Sequence, residues 1–279
     1  VNALADAYLT DAQRRMKPNS FRIVRDFTRS FASTCGQKSA ESVRKADVEA
    51  WVRSHPTWGQ TTVSVAKVRV LALFHWAVEQ ELLAINPIQG LKKPPQRSRG
   101  AAAVISPEDH ARLMEAATPS LRDVLFALRE SGARPGEVCG VRAADFHAEQ
   151  GVWILEQHKT ADKTGKPRVI FLTPALIALC RTLAERYPTG PLFRTMKGKP
   201  WAMFGIAKRL RLLRMKLGIE GAIPYGYRHG FATDALANGV PDAHVAALLG
   251  HSGTAMLHKH YSHLTARSQA LRDALGKVR

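Results

Sequence analysis

Apolar residues recur every three to four positions along most of the chain, the period of amphipathic helices. Ala3 to Met16 keeps that period through Leu4, Ala7, Tyr8 and Ala12, and Phe21 to Phe31 keeps it through Val24 and Phe27 among arginines. Asp47 opens a short predicted helix through Val48 and Trp51. His55-Pro56 closes it, because a residue before proline leaves helical geometry. Thr62 to Leu83 is the longest predicted helix of this half, with Val68, Leu71, Phe74, Val78 and Leu82 on one face; Asn86-Pro87 ends it. The period then lapses in LKKPPQRSRG, Leu91 to Gly100, whose two prolines and four basic residues mark a linker.

Periodicity resumes at Ser106-Pro107, a cap followed by proline at the first helical position, with Asp109 where a capping box wants an acid. Leu121 to Ser131 follows, with Gly132 as its predicted C-cap. Gly151 to His158 and Arg168 to Leu172 switch to β-rich runs around ADKTGK and predict a hairpin. Thr173-Pro174 starts another helix with Leu176, Leu179 and Leu183 inward. Trp201 to Leu217 is helical, with Ile206, Leu210, Leu213 and Leu217 on one face and Lys208, Arg209, Arg211, Arg214 and Lys216 elsewhere. Phe231 to Ala237 and Asp242 to Leu249 read as two short helices joined at Asn238-Gly239, and Thr265 to Val278 as an amphipathic tail helix. The chain is thus expected to be mainly α, with a small antiparallel β-element. It divides into a helical domain at 1–91, a basic linker at 92–104 and a second domain at 105–279.

Charge narrows the partner. The 279 residues carry 41 Lys+Arg against 23 Asp+Glu, a formal net charge of +18, which favours a polyanion such as nucleic acid. The basic linker suits either a solvated connector or a segment lying along a DNA backbone. No uninterrupted apolar run approaches the ~20 residues of a membrane span, no secretory signal is visible, and no membrane partner is expected. Val1 rather than Met at the start leaves room for an upstream segment. Cys35, Cys139 and Cys180 form an odd set without paired spacing, as expected of reduced thiols in a cytoplasm.

Four islands carry candidate chemistry. Ser131 to Phe146 supplies Arg134 in a turn between helices, followed by Glu137. The hairpin supplies Lys159, Lys163 and Lys166. Ile223 to Thr233 supplies Tyr225, Arg228 and His229. Leu248 to Leu264, LLGHSGTAMLHKHYSHL, supplies His251 and Tyr261. Breaking a DNA phosphodiester without a metal calls for this set. Two arginines match the charge that builds on the non-bridging oxygens. A lysine of lowered pKa can protonate the departing oxygen. A tyrosine of pKa ~10 needs nearby positive charge or a base before it attacks. Neither a phosphate-binding glycine loop nor a metal-ligand spacing is evident, so no cofactor and no metal are expected. His258, His260 and His263 flank Tyr261 at a spacing that fits no strong metal motif.

Ala133-Arg134-Pro135-Gly136-Glu137, the lysine hairpin, Tyr225-Gly226-Tyr227-Arg228-His229-Gly230, and Leu248-Leu249-Gly250-His251-Ser252 with Tyr261 together resemble the tyrosine recombinase, or phage integrase, family. The resemblance spans the motifs of the catalytic domain and extends more weakly to the N-terminal helices. It implies a SAM-like core-binding domain that clamps DNA with the catalytic domain. It implies Arg134 and Arg228 as phosphate ligands, His251 as a hydrogen-bond donor to the scissile phosphate, Tyr261 as nucleophile, and Glu137 as the group orienting Arg134. The general acid is Lys159, at the end of the first strand, or alternatively Lys163, counted back from Arg168. Tyr225 stands where the family usually has histidine, and His229 is expected to be structural. The family further implies double-stranded recombination sites as substrate, a homotetramer on DNA, a 3′-phosphotyrosine and a Holliday junction. It also implies accessory DNA-bending or directionality factors, a tail helix docked on a neighbouring protomer, and a cytoplasmic, nucleoid-associated setting. Rival readings are a type IB topoisomerase, a non-catalytic helix-turn-helix protein, and a recombinase weakened at Tyr225.

Overall fold

A computed structural model describes residues 1–94, 104–158, 165–251, 253–255 and 257. The chain forms two compact units, Val1–Ser98 and Arg99–Arg279. It is mainly α-helical with one small antiparallel sheet, as the periodicity predicts.

The first unit packs α1 (Asn2–Arg15), α2 (Pro18–Cys35), α3 (Lys45–Arg53) and α4 (Gln60–Glu79). Phe31 is its centre: Trp51 meets it edge-on at 5.4 Å and Phe74 at 6.2 Å between ring centroids. The Trp51 indole N–H donates to Ser30 Oγ at 3.0 Å, so this large side chain is buried with its polar atom satisfied. Two helices depart from expectation for local reasons. α3 starts before Asp47, because the Asp47 carboxylate accepts from Arg44 N at 2.8 Å and so sits in the first turn as a cap. α4 ends before Leu83, where Glu81 takes a left-handed φ of +58° and turns the chain. Its buried face runs through Ala66, Val70, Leu73, Phe74 and Ala77, while the expected Leu82 is exposed. α4 is long and apolar enough to cross a membrane by length and composition alone, but Lys67 and Arg69 interrupt its apolar run and it is the core helix of this unit.

In the second unit α5 (Pro107–Ala116), α6 (Pro119–Ser131) and α7 (Pro135–Gly140) precede the sheet. Ser106 Oγ accepts from Asp109 N at 3.1 Å, so the predicted cap is present. The sheet order is β1 (Phe146–His147), β2 (Val152–Leu155), β3 (Arg168–Phe171), all antiparallel, with Val152 opposite Phe171 and Leu155 opposite Arg168. After it come α8 (Pro174–Arg186), α9 (Met203–Leu217), α10 (Pro224–Ala237) and α11 (Asp242–Leu249). The core gathers Leu125, Leu128, Trp153, Ile170 and Phe193.

The helix expected to begin at Phe231 is the second half of α10. Pro224 fits the first helical position, and the whole YGYRHGFAT island is helical behind it. The Asn238-Gly239 turn, with Gly239 at φ +77°, folds α11 back against α10 through Ala232, Val245, Ala246 and Leu249.

Candidate active site

Three chain segments meet at the C-terminal end of α11. An α-helix leaves its last four carbonyls without intrahelical partners, and here each finds a donor. Gly250, in the left-handed region at φ +64°, caps the helix: its N–H bonds Ala247 O at 2.9 Å, and His251 N bonds Ala246 O at 2.9 Å. Arg168 Nη2 donates to Leu248 O at 2.6 Å and Arg228 Nη2 to Leu249 O at 2.6 Å. Arg134 Nη2 reaches the carbonyl of Gly250 itself at 3.4 Å. The partial negative charge of the helix end suits this ring of cations.

Arg228 is 2% exposed. It is held from both sides, Nη1 donating to Gly132 O at 2.9 Å while Nη2 also lies 3.0 Å from His251 Nε2. Gly132 is the C-cap of α6 at φ +59°, and a Cβ there would fall 2.6 Å from the Phe231 ring. Glycine is therefore required for α10 to approach closely enough to deliver Arg228.

Arg134 precedes α7 and is oriented by Glu137. One Glu137 oxygen accepts from Arg134 Nη1 at 2.7 Å and the other from Arg134 N at 2.7 Å. Glu137 is 8% exposed, so the pair is fixed rather than a loose surface contact. Pro135 at the first helical position and Glu137 in the first turn make that geometry a local consequence of the ARPGE sequence.

The structure thus brings Arg134, Glu137, Arg228 and His251 together. Tyr225 is placed differently: it is 42% exposed on α10, edge-on to His229 at 5.4 Å, and among the described residues it has no hydrogen bond to either arginine or to His251. Lys159, Lys163 and Tyr261 lie outside the described residues, as do His258, His260, His263 and the expected tail helix. No group of three or more His, Cys, Asp or Glu side chains suited to a metal occurs among the described residues.

Two features were not anticipated from sequence. Arg168 is 8% exposed, and burial, followed by the neighbouring Arg228 and Arg134 charges, brings its pKa down to about 10, against an upward pull from Glu137. It remains a cation at neutral pH. The Tyr227 hydroxyl and His110 Nδ1 lie 3.2 Å apart in a hydrogen bond that ties α10 to α5. Burial, with Arg129 nearby, lowers the His110 pKa to about 4.

The phage integrase family model matches residues 103–268. Among curated relatives, the tyrosine recombinase XerD of Staphylococcus aureus is 27% identical over 225 residues, 73% of this chain and 74% of the relative. The tyrosine recombinase XerC of Lactobacillus delbrueckii subsp. bulgaricus is 30% identical over 158 residues, 52% of each chain. Among solved structures, a lambda integrase dimer bound to a COC′ core site aligns with a TM-score of 0.77 at 15% identity, over 93% of this chain and 76% of that one. The Tn1549 transposon integrase in complex with transposon right end DNA aligns with a TM-score of 0.77 at 18% identity, over 97% and 99%. Fold and motif set define a DNA strand-transfer class of protein, and the chain belongs to the phage integrase family.

Two predictions follow from this geometry. Glu137→Ala leaves Arg134 half-buried without its carboxylate and uncaps α7; it should lower the unfolding free energy by about 3 kcal/mol, with Glu137→Gln losing less, as read by urea unfolding. His110 is held neutral in the fold where the unfolded chain, with pKa 6.5, protonates. Its stabilising contribution is therefore complete above about pH 6.5 and is lost as pH falls toward 4. The urea midpoint of His110→Gln should accordingly fall less over that window than the wild-type midpoint.

Proposed function

We propose that the protein is a site-specific DNA recombinase that cuts and rejoins strands through Tyr261, with neither metal nor nucleotide cofactor. The observation that carries this is the convergence of Arg134, Arg228 and His251 around the end of α11, ten residues ahead of the only tyrosine in the LLGHS-to-tyrosine stretch. Tyr261 Oη attacks the scissile phosphorus while the bond to the 5′ oxygen breaks. The two guanidinium groups and His251 take up the charge on the non-bridging oxygens. A hairpin lysine, Lys159 or Lys163, protonates the departing 5′ oxygen. The phosphodiester is conserved as a 3′-phosphotyrosine, and attack by the 5′-hydroxyl of a partner duplex reverses the step and forms a Holliday junction.

Duplex recombination sites are the substrate, and four protomers act on two of them; a lambda integrase tetramer bound to a Holliday junction has this catalytic fold. The setting is the cytoplasm, on the nucleoid, in the service of a mobile element or of chromosome resolution, with DNA-bending or directionality factors as further partners. In this reading residues 1–91 form a core-binding domain on DNA, 92–104 a basic linker and 105–279 the catalytic domain. Tyr225, three residues before Arg228 on α10 and 42% exposed, keeps a hydroxyl that can donate a hydrogen bond to phosphate. The helix-turn-helix alternative is disfavoured because it gives no role to the meeting of Arg134, Arg228 and His251 at the end of α11.

A nicked suicide duplex, selected from random-sequence DNA by the wild-type protein, tests the assignment. Wild-type protein should give a covalent adduct on a denaturing gel and Tyr261→Phe none; an unchanged adduct with Tyr261→Phe would remove Tyr261 as nucleophile. Relaxation of any supercoiled plasmid without junction formation would favour a type IB topoisomerase. For the acid, a 5′-bridging phosphorothiolate should rescue cleavage by Lys159→Ala, because a thiolate leaves without a proton; rescue of Lys163→Ala alone assigns the role to Lys163.

A further inference from the structure

Arg168 has a place in the site but no place in the motif set. It opens β3, directly after the segment that carries Lys159 and Lys163, and shares a sheet face with the buried Ile170. Its guanidinium crosses to the far side of the domain in sequence: Nη2 binds Leu248 O at 2.6 Å, and Nη1 binds Val169 O at 2.8 Å and, more distantly, Ala247 O at 3.5 Å.

The surroundings do not look like those of a stabilising ion pair. Among the described residues no carboxylate bonds Arg168 and its Nε finds no acceptor; the Glu137 charge attracts it, but the Arg228 and Arg134 charges oppose it. A buried guanidinium with an unsatisfied N–H is costly, and an apolar side chain of similar length would fill the same space without that cost. What an apolar residue could not do is grip the end of α11. The helix end is shaped to admit the grip: a Cβ on Gly250 would lie 2.7 Å from Arg168 Cζ, so the residue just before His251 must be glycine for the guanidinium to lie there.

Resting on the recombinase reading above, we propose that Arg168 is a positioning residue that fastens the base of the lysine hairpin to the helix end presenting His251, so that proton donor and phosphate ligand meet one phosphate in fixed register. The same helix end carries the Arg228 and Arg134 contacts, so this fastening refers the lysine to the whole phosphate cradle. Arginine suits the task because its planar fork spans two carbonyls, whereas the lysine ammonium is a single point donor.

The test uses the full chain, the selected suicide duplex and its 5′-bridging phosphorothiolate counterpart. A displacement of about 1 Å in a catalytic group costs about 10²-fold, so Arg168→Met should cleave the ordinary phosphodiester about 10²-fold more slowly than wild type. The phosphorothiolate should recover at least about tenfold of that loss, because a leaving thiolate no longer needs the positioned acid. Gly250→Ala, which displaces the guanidinium without deleting it, should show the same recovery, and Arg168→Lys should regain only part of the phosphodiester rate. Equal loss on both substrates, or a phosphodiester rate within about threefold of wild type, would overturn the proposal, since general acid steps are worth at least about 10²-fold. Should Arg168→Met not fold, Arg168→Lys carries the same comparison between substrates. Absence of any adduct from wild-type protein would instead sink the recombinase reading itself, and the positioning role with it.

Discussion

The site depends on one interaction, the meeting of arginine side chains with the carbonyl end of α11. Gly250 and His251 close the helix on itself, and Arg168, Arg228 and Arg134 take the Leu248, Leu249 and Gly250 carbonyls in succession. Cations of like sign do not gather in a protein interior unless fixed acceptors hold them. Here the acceptors are backbone dipoles, joined by the Glu137 carboxylate on Arg134 and the Gly132 carbonyl on Arg228. Such partners add little negative charge, so the cluster stays electropositive. That is the state a site needs if a phosphate is to bring the missing anionic charge.

The same interaction ties distant segments together. Arg134 leads α7, Arg168 opens β3, and Arg228 lies within α10, yet all converge on a helix that begins at Asp242. Two glycines make the approach possible: Gly132 lets the Phe231 side of α10 close on α6, and Gly250 leaves room for the Arg168 guanidinium. The Asn238-Gly239 turn serves this geometry. It returns α11 along α10 so that its last carbonyls face the arginine of the helix before it.

Local signals made much of this legible in the sequence. Ser106, Thr173 and Gly132 announce helix ends by their own chemistry, and each does so in the structure. The ARPGE segment encodes the Arg134–Glu137 pair within one turn. Non-local features were opaque. Arg168 shows in the sequence only as the first residue of a predicted strand, because its burial depends on carbonyls some eighty residues further along the chain. In sequence α10 shows its period only from Phe231, because Tyr225, Gly226 and Gly230 mask it; tertiary packing against α6 overrides the weak propensity of those glycines. The offset face of α4 has the same origin: a helix with apolar residues nearly all round has no single stripe for the eye to follow.

The central claim is that Arg134, Arg228 and His251 hold one phosphate in front of Tyr261. A structure of the protein trapped on the nicked suicide duplex measures this directly. The expected result is a phosphorus bonded to Tyr261 Oη, with its non-bridging oxygens within hydrogen-bond distance of Arg134, Arg228 and His251. A phosphate joined to another side chain, or lying away from the end of α11, would contradict it.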